Sequence, residues 1–390
     1  MSGTTVVLLR STDTGAPVLS GTAGALVAVL DACLVNGYNS KTPSSITRSG
    51  STVTVTFATT HGYAADSLTK VEISGADQTE YNGIKQISNV SALSFDFTVT
   101  GTPATPATGT ITTKAAPLGW SKAFSGTNKA VYRSNEVTGT QLYLRVDDAN
   151  TIFALARGFE TMTDADTGIG LFPTTGQLAS GVYINKSIAA NADAVNWLLA
   201  GDGFEFHFFS KIIAYYSPLV YQQFHFGDPD SEMLSDPYGC LIFGGTGAIM
   251  DAGFTNNETY KICDQTNSLL SQTGHYFARS YTQKGGSVAA GKHGNHTLGH
   301  TSIGLRGMPY PAQHNNGLYI APLFVNDGLV LRARLKGIYQ PLHCRPFGHG
   351  ILIASTYSPI GRKLYTVRTA SQGWNGDDGE THIDIDGPWR

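Results

Sequence analysis

Charged side chains are scarce in this chain. They make up 14% of its 390 residues, against about 25% in an average globular protein. The 26 basic and 29 acidic residues leave a formal net charge of −3. No basic stripe runs along the sequence, so no groove for nucleic acid is expected. Cysteine is scarce too. Cys33, Cys240, Cys263 and Cys344 are far apart and form no C-x-x-C pair, which excludes a zinc knuckle and a dithiol redox motif. Four cysteines in a chain of this length suit a reducing cytoplasm. No apolar run approaches the roughly 18 residues that would cross a bilayer, so no membrane span is expected. Residues 1–10 show no basic-then-apolar run, so no secretory signal is expected either. There is no heptad pattern for a helical stalk and no fixed repeat for a propeller or β-helix. G-x-S-x-G and H-E-x-x-H do not occur, and the Gly-rich stretch at 244–253 lacks the Lys-Ser/Thr of a phosphate-binding loop. No cofactor is expected, and no enzymatic activity.

Apolar residues, at 41%, are plentiful enough for a sizeable core. There are 45 glycines, well above the ~7% of average usage, and Thr and Ser are abundant. That combination suits many short strands joined by tight turns. Residues 44–114 alternate apolar and polar: Val53, Val55, Phe57; Val71, Ile73; Phe95, Phe97, Val99. Strands with one buried face read this way. Gly62, Gly75, Asn82-Gly83 and Gly101 punctuate them, and Asn-Gly is a strong tight-turn signal. The fold expected is therefore mostly β with a few helices, in several β-sandwich or barrel-like domains, one of them a small inserted Ig-like β-domain. The division expected is 1–43 plus 115–195 as a discontinuous α+β domain, 44–114 as the insert, and 196–390 as a β-rich domain. One helix is expected after residue 20, from Ala23, Leu26, Val27, Leu30 and Leu34. Ser20 or Thr22 would cap it and Gly37 would end it. Asp202-Gly203, between two apolar runs, predicts a hairpin.

Several groups of residues invite a chemical role. His293, His296 and His300 have the residue type for a metal site. Gly294, Asn295 and Gly299 break up any helix that would align them, so a Gly-rich surface loop is the preferred reading. His343 beside Cys344, with His349, shows no second set of partners. Asp228, Asp230, Glu232 and Asp236 form one acidic cluster, and Asp377, Asp378, Glu380, Asp384 and Asp386 another. Either could hold a hard cation, but neither matches a calcium loop, and capping of turns is the commoner use. Aromatic rings crowd 204–209 and 215–226. They could stack on sugars, although the alternation of FEFHFF makes core packing the default. Trp389 and Arg390 are candidates for an interface, with the indole filling a pocket in a neighbouring subunit and the guanidinium pairing with a carboxylate there.

The segments HGYAADSLTKVEISGADQTEYNG and VTGTPATPATGTIT, within the insert, resemble a small β-module that recurs in structural proteins of tailed bacteriophages. Residues 8–38, 226–244, 335–350 and 383–390 resemble virion proteins of the same kind. The resemblance implies a non-enzymatic structural component of a virion, in the tail, baseplate or neck, made in the bacterial host's cytoplasm. It implies partners that are copies of this chain and other phage structural proteins. A receptor-contacting protein that binds or cleaves a host surface glycan, or a head decoration protein, is the alternative.

Overall fold

The computed structural model describes residues 5–66, 68–211, 221–233, 235–247, 274–293, 310–312, 314–328, 330–343, 347–369 and 380–389, with the backbone alone at 292 and 293. Strands dominate, arranged in several sheets, and there is a single short α-helix among these residues. The largest sheet has thirteen strands. It starts at Val7–Arg10 and passes through Trp197–Gly201, Glu205–Lys211, Tyr221–Gly227, Leu241–Phe243 and His275–Phe277. It then continues through Val288–His293, Ile320–Asp327 and Val330–Pro341 to Glu380–Asp384 and beyond. Its pairings are antiparallel throughout.

Both faces of this sheet are covered, which explains why its central strands are buried along their whole length rather than alternately. Phe206, Phe208, Phe224 and Phe226 point into a first core. The helix and the sheet of Ser121–Gly126, Lys129–Arg133, Tyr143–Asp147, Phe153–Phe159 and Val182–Asn185 close that core from the other side. Phe209, Tyr221, Leu241 and Phe243 belong to a second core. There they meet Leu323, Val325, Leu335, Ile338, Val367 and Ile383, so the sheet's far half folds over its near half. Each fully buried ring contributes roughly 1.5–3 kcal/mol, so the Glu205–Lys211 and Tyr221–Gly227 pair is heavily anchored.

Residues 44–114 supply a core of their own, with Val53, Val55, Ile73, Tyr81, Phe95 and Phe97 at its centre. A three-stranded sheet, Ser45–Ser49, Thr52–Thr56 and Ser94–Thr98, lies on one side. The other side is a four-stranded sheet of Tyr38–Lys41, Gly109–Ala115, Lys70–Ala76 and Gly83–Gln86. The Asn82-Gly83 pair is not a two-residue hairpin turn. Asn82 follows the short 3-10 turn Thr79–Tyr81, and its side-chain amide exchanges two hydrogen bonds with the backbone of Ala76, at 3.0 and 2.7 Å. Asp202 does cap a hairpin, accepting from the N–H groups of Phe204 and Glu205 at 2.8 and 3.1 Å.

Two further expectations differ from the structure. The helix is regular over Ala25–Leu30 only and continues as a wider π-type turn over Asp31–Asn36 before Gly37 ends it. Neither Ser20 nor Thr22 caps it. The distant Asp148 carboxylate does, accepting from the N–H groups of Leu26 (2.7 Å) and Val27 (3.1 Å). The division at 195/196 also fails to separate two cores. Val7–Arg10 pairs with Trp197–Gly201, and the first core mixes residues of both segments.

Candidate functional site

Register builds the site. Leu8, Ala200, His207, His225, Phe243 and His275 stand opposite one another in a row across six neighbouring strands. Side chains alternate between faces along each strand, so His207 shares its face with Glu205 and Phe209, and His225 shares it with Gln223. This face points into the second core, yet it carries a carboxylate and two imidazoles. Glu205, His207 and His225 are all fully buried. One candidate ligand atom from each lies within 4.8 Å of those from the other two.

The rings of His207 and His225 lie 4.5 Å apart, tilted by 31°. Nε2 of His225 is 3.9 Å from Oε2 of Glu205. Nδ1 of His207 meets Nε2 of Gln223 at 3.2 Å, while its own Nε2 has no hydrogen-bond partner among the described residues. Burial pushes the His207 ring well below its ordinary pKa, and the neighbouring His225 adds to the effect. The ring is therefore neutral at neutral pH. Room for Glu205 comes from Gly227, which stands directly opposite it. Gly227 has φ +138°, and a Cβ there would come within 2.4 Å of the Glu205 Cα. Two imidazoles and one carboxylate, converging in a dry interior, can hold a divalent cation or share a proton.

Trp389 covers this cluster, its ring edge-on to His207 at 5.9 Å. The indole expected to fill a pocket in a neighbouring subunit thus fills one in its own chain. It is 4% exposed, and its Nε1 donates to the Asp384 carbonyl at 2.9 Å. Gly337 makes this possible: a Cβ at that position would sit 2.0 Å from the indole. Arg390 lies outside the described residues.

The histidine-rich candidates fare differently. His293 ends the strand Val288–His293, with its backbone opposite Phe324. Its side chain, together with His296 and His300, lies outside the described residues. The loop expected there is therefore preceded by a sheet strand that reaches His293 itself. His343 is a core side chain whose Nε2 accepts from the Tyr319 N–H at 2.7 Å. His349 stacks on Tyr221 at 4.2 Å, and burial lowers its pKa to about 4.

Four described members of the acidic clusters have basic or backbone partners, and Asp377 and Asp378 lie outside the described residues. Asp228 accepts from the Thr140 N–H and hydroxyl at 2.5 and 2.6 Å. Asp230 pairs with Arg334 and Lys336. Asp236 forms a two-point pair with the fully buried Arg332, at 2.8 and 3.0 Å. Asp384 pairs with Arg362 at 2.8 Å. The rings of Phe206, Phe208, Phe209, Tyr221, Phe224 and Phe226 are buried, so none of them is presented to a glycan. Tyr215 and Tyr216 lie outside the described residues.

Sequence reasoning passed over Glu205, His207 and His225 because their aromatic neighbours accounted for the segment. A signal was present in the period of two. Glu and His share one face of EFHFF, and a second His recurs in FHF on the next run. The sequence matches no protein-family model and no curated protein.

Proposed function

We propose that this chain is a non-enzymatic structural component of a tailed-bacteriophage virion, in the tail, baseplate or neck, acting through contacts with copies of itself and with other virion proteins. The observation that carries the non-enzymatic part is the burial of Glu205, His207 and His225 beneath Trp389. A substrate would reach these groups only if the second core opened. Support for the virion part comes from the resemblance of residues 8–38, the insert, and 226–244, 335–350 and 383–390 to such proteins.

The way the insert is mounted suits an assembly role. Leu68 packs into the second core of the body. Arg10 pairs with Asp66. The buried Lys70 ammonium donates to the carbonyls of Val6 and Ile385. A module held this firmly loses little conformational freedom when it meets a partner. Low overall charge suits surfaces that neighbours cover.

Light scattering of the purified chain at micromolar concentration tests the proposal, run beside binding and hydrolysis assays on the host's surface polysaccharide. The expected result is a defined oligomer, with neither glycan binding nor turnover. A monomer that cleaves polysaccharide, and stops when one acidic or imidazole side chain is replaced, contradicts it.

A further inference from the structure

We infer that Glu205, His207 and His225 form a structural binding site for one divalent transition-metal ion of the zinc class. Two imidazole nitrogens and a carboxylate oxygen, one from each residue, already lie within 4.8 Å of one another. Zinc and its neighbours in the first transition row favour such mixed nitrogen and oxygen donors. Calcium and magnesium favour oxygen alone. Donors at bond lengths of about 2.0–2.2 Å around a tetrahedral ion stand roughly 3.3–3.6 Å apart. The three side chains therefore need to close by only about 1 Å.

His207 supplies an independent pointer. The ring is fully buried, and its Nε2 has no hydrogen-bond partner among the described residues. Its Nδ1 is engaged by the Gln223 amide, which leaves Nε2 as the atom available to the cluster. The Gln223 Oε1 also has no partner among the described residues. Turning that amide end for end places Oε1 against Nδ1, and the two amide orientations differ only by the network they satisfy. The imidazole then donates through Nδ1–H and keeps a bare lone pair on Nε2. Metal-ligating histidines are commonly held in this way. Trp389 covers the site over His207 and so keeps a substrate from the ion, while three protein donors leave the fourth tetrahedral position to a small donor such as water. Gln223 is a positioning residue here.

The test uses the full-length chain without a polyhistidine tag, expressed with added zinc. Elemental analysis is expected to find one zinc per chain. Returning zinc to chelator-stripped protein should raise the melting temperature by roughly 5 °C or more. Cobalt(II) in its place should give the visible absorption of a low-coordinate nitrogen/oxygen site. His225→Gln and Glu205→Gln should abolish stoichiometric metal. Gln223→Leu should weaken zinc affinity by about 10–100-fold. The combined His293→Gln, His296→Gln, His300→Gln variant should keep its zinc. If His225→Gln does not fold, the cobalt spectrum and the zinc-dependent melting shift of the unmodified chain still decide. Overturning results are protein without metal and without a zinc-dependent shift, or zinc that survives Glu205→Gln and leaves with the 293/296/300 variant. None of these readouts depends on where in a virion the chain sits.

Discussion

Asp148 shows how much one side chain organises here. Its carboxylate caps the helix through Leu26 and Val27 and forms a fully buried ion pair with Lys186. The Lys186 ammonium also donates to the Thr22 carbonyl at 2.6 Å. Burial raises the Asp148 pKa and lowers that of Lys186, and their pairing offsets part of each shift. Breaking such a pair from one side leaves a buried charge without compensation. Asp148→Ala should therefore cost about 3–5 kcal/mol, read from the urea midpoint, and adding Lys186→Met should recover part of the loss. An unchanged midpoint contradicts this role. Trp389→Ala should cost about 3–5 kcal/mol through the cavity it leaves. Gly337→Ala should also lower the melting temperature, because its methyl needs the space the indole occupies. Neither role was legible locally. Asp148 reads as the end of a strand, and its helix lies 122 residues away in sequence. Trp389 reads as a loose terminal ring until Gly337 is placed beneath it.

Among the elements, strands declared themselves best. The alternation of Tyr143–Asp147 and of the insert is visible in the sequence because one face is apolar and the other is not. Glu205–Lys211 was legible as core but not as a polar site, because both of its faces are covered and periodicity no longer separates them. The docking of Lys70–Ala76 against the body was not legible at all, since Lys70 gives no sign of burial in sequence. Its ammonium pKa falls to about 8, chiefly through burial, with nearby Asp386 and Asp384 opposing the fall. The unfolded chain holds that proton to about 10.5. Between about pH 8 and 10.5 the unfolded state binds more protons, so this group makes stability rise with pH. Below pH 8 the penalty for burying the ammonium is present in full. Lys70→Met should make the slope of stability against pH less positive between about pH 8 and 9.5, as followed by urea unfolding. The buried Cys33 and Cys240 thiols, raised well above 9.0, act in the opposite direction in the upper part of that window, but they do so in both proteins and cancel in the comparison. A slope unchanged by the substitution contradicts the account of Lys70.

Taken whole, the molecule is a β protein whose halves share a core, with a small β-module mounted on both ends of the chain. Composition and turn residues made the β class readable. They could not make the shared core readable, because the pairing of Val7–Arg10 with Trp197–Gly201 joins segments nearly two hundred residues apart. Local pattern carries no information about which distant edge a strand will meet. A buried polar cluster, a docked insert and few charges suit a protein that works through contact area. The most direct test is quantitative mass spectrometry of purified particles, combined with electron microscopy of particles labelled by an antibody against residues 44–114. The account predicts this chain in a fixed number of copies per particle, with label at the tail, baseplate or neck. Particles that lack the chain, while it remains free in the lysate, would contradict it.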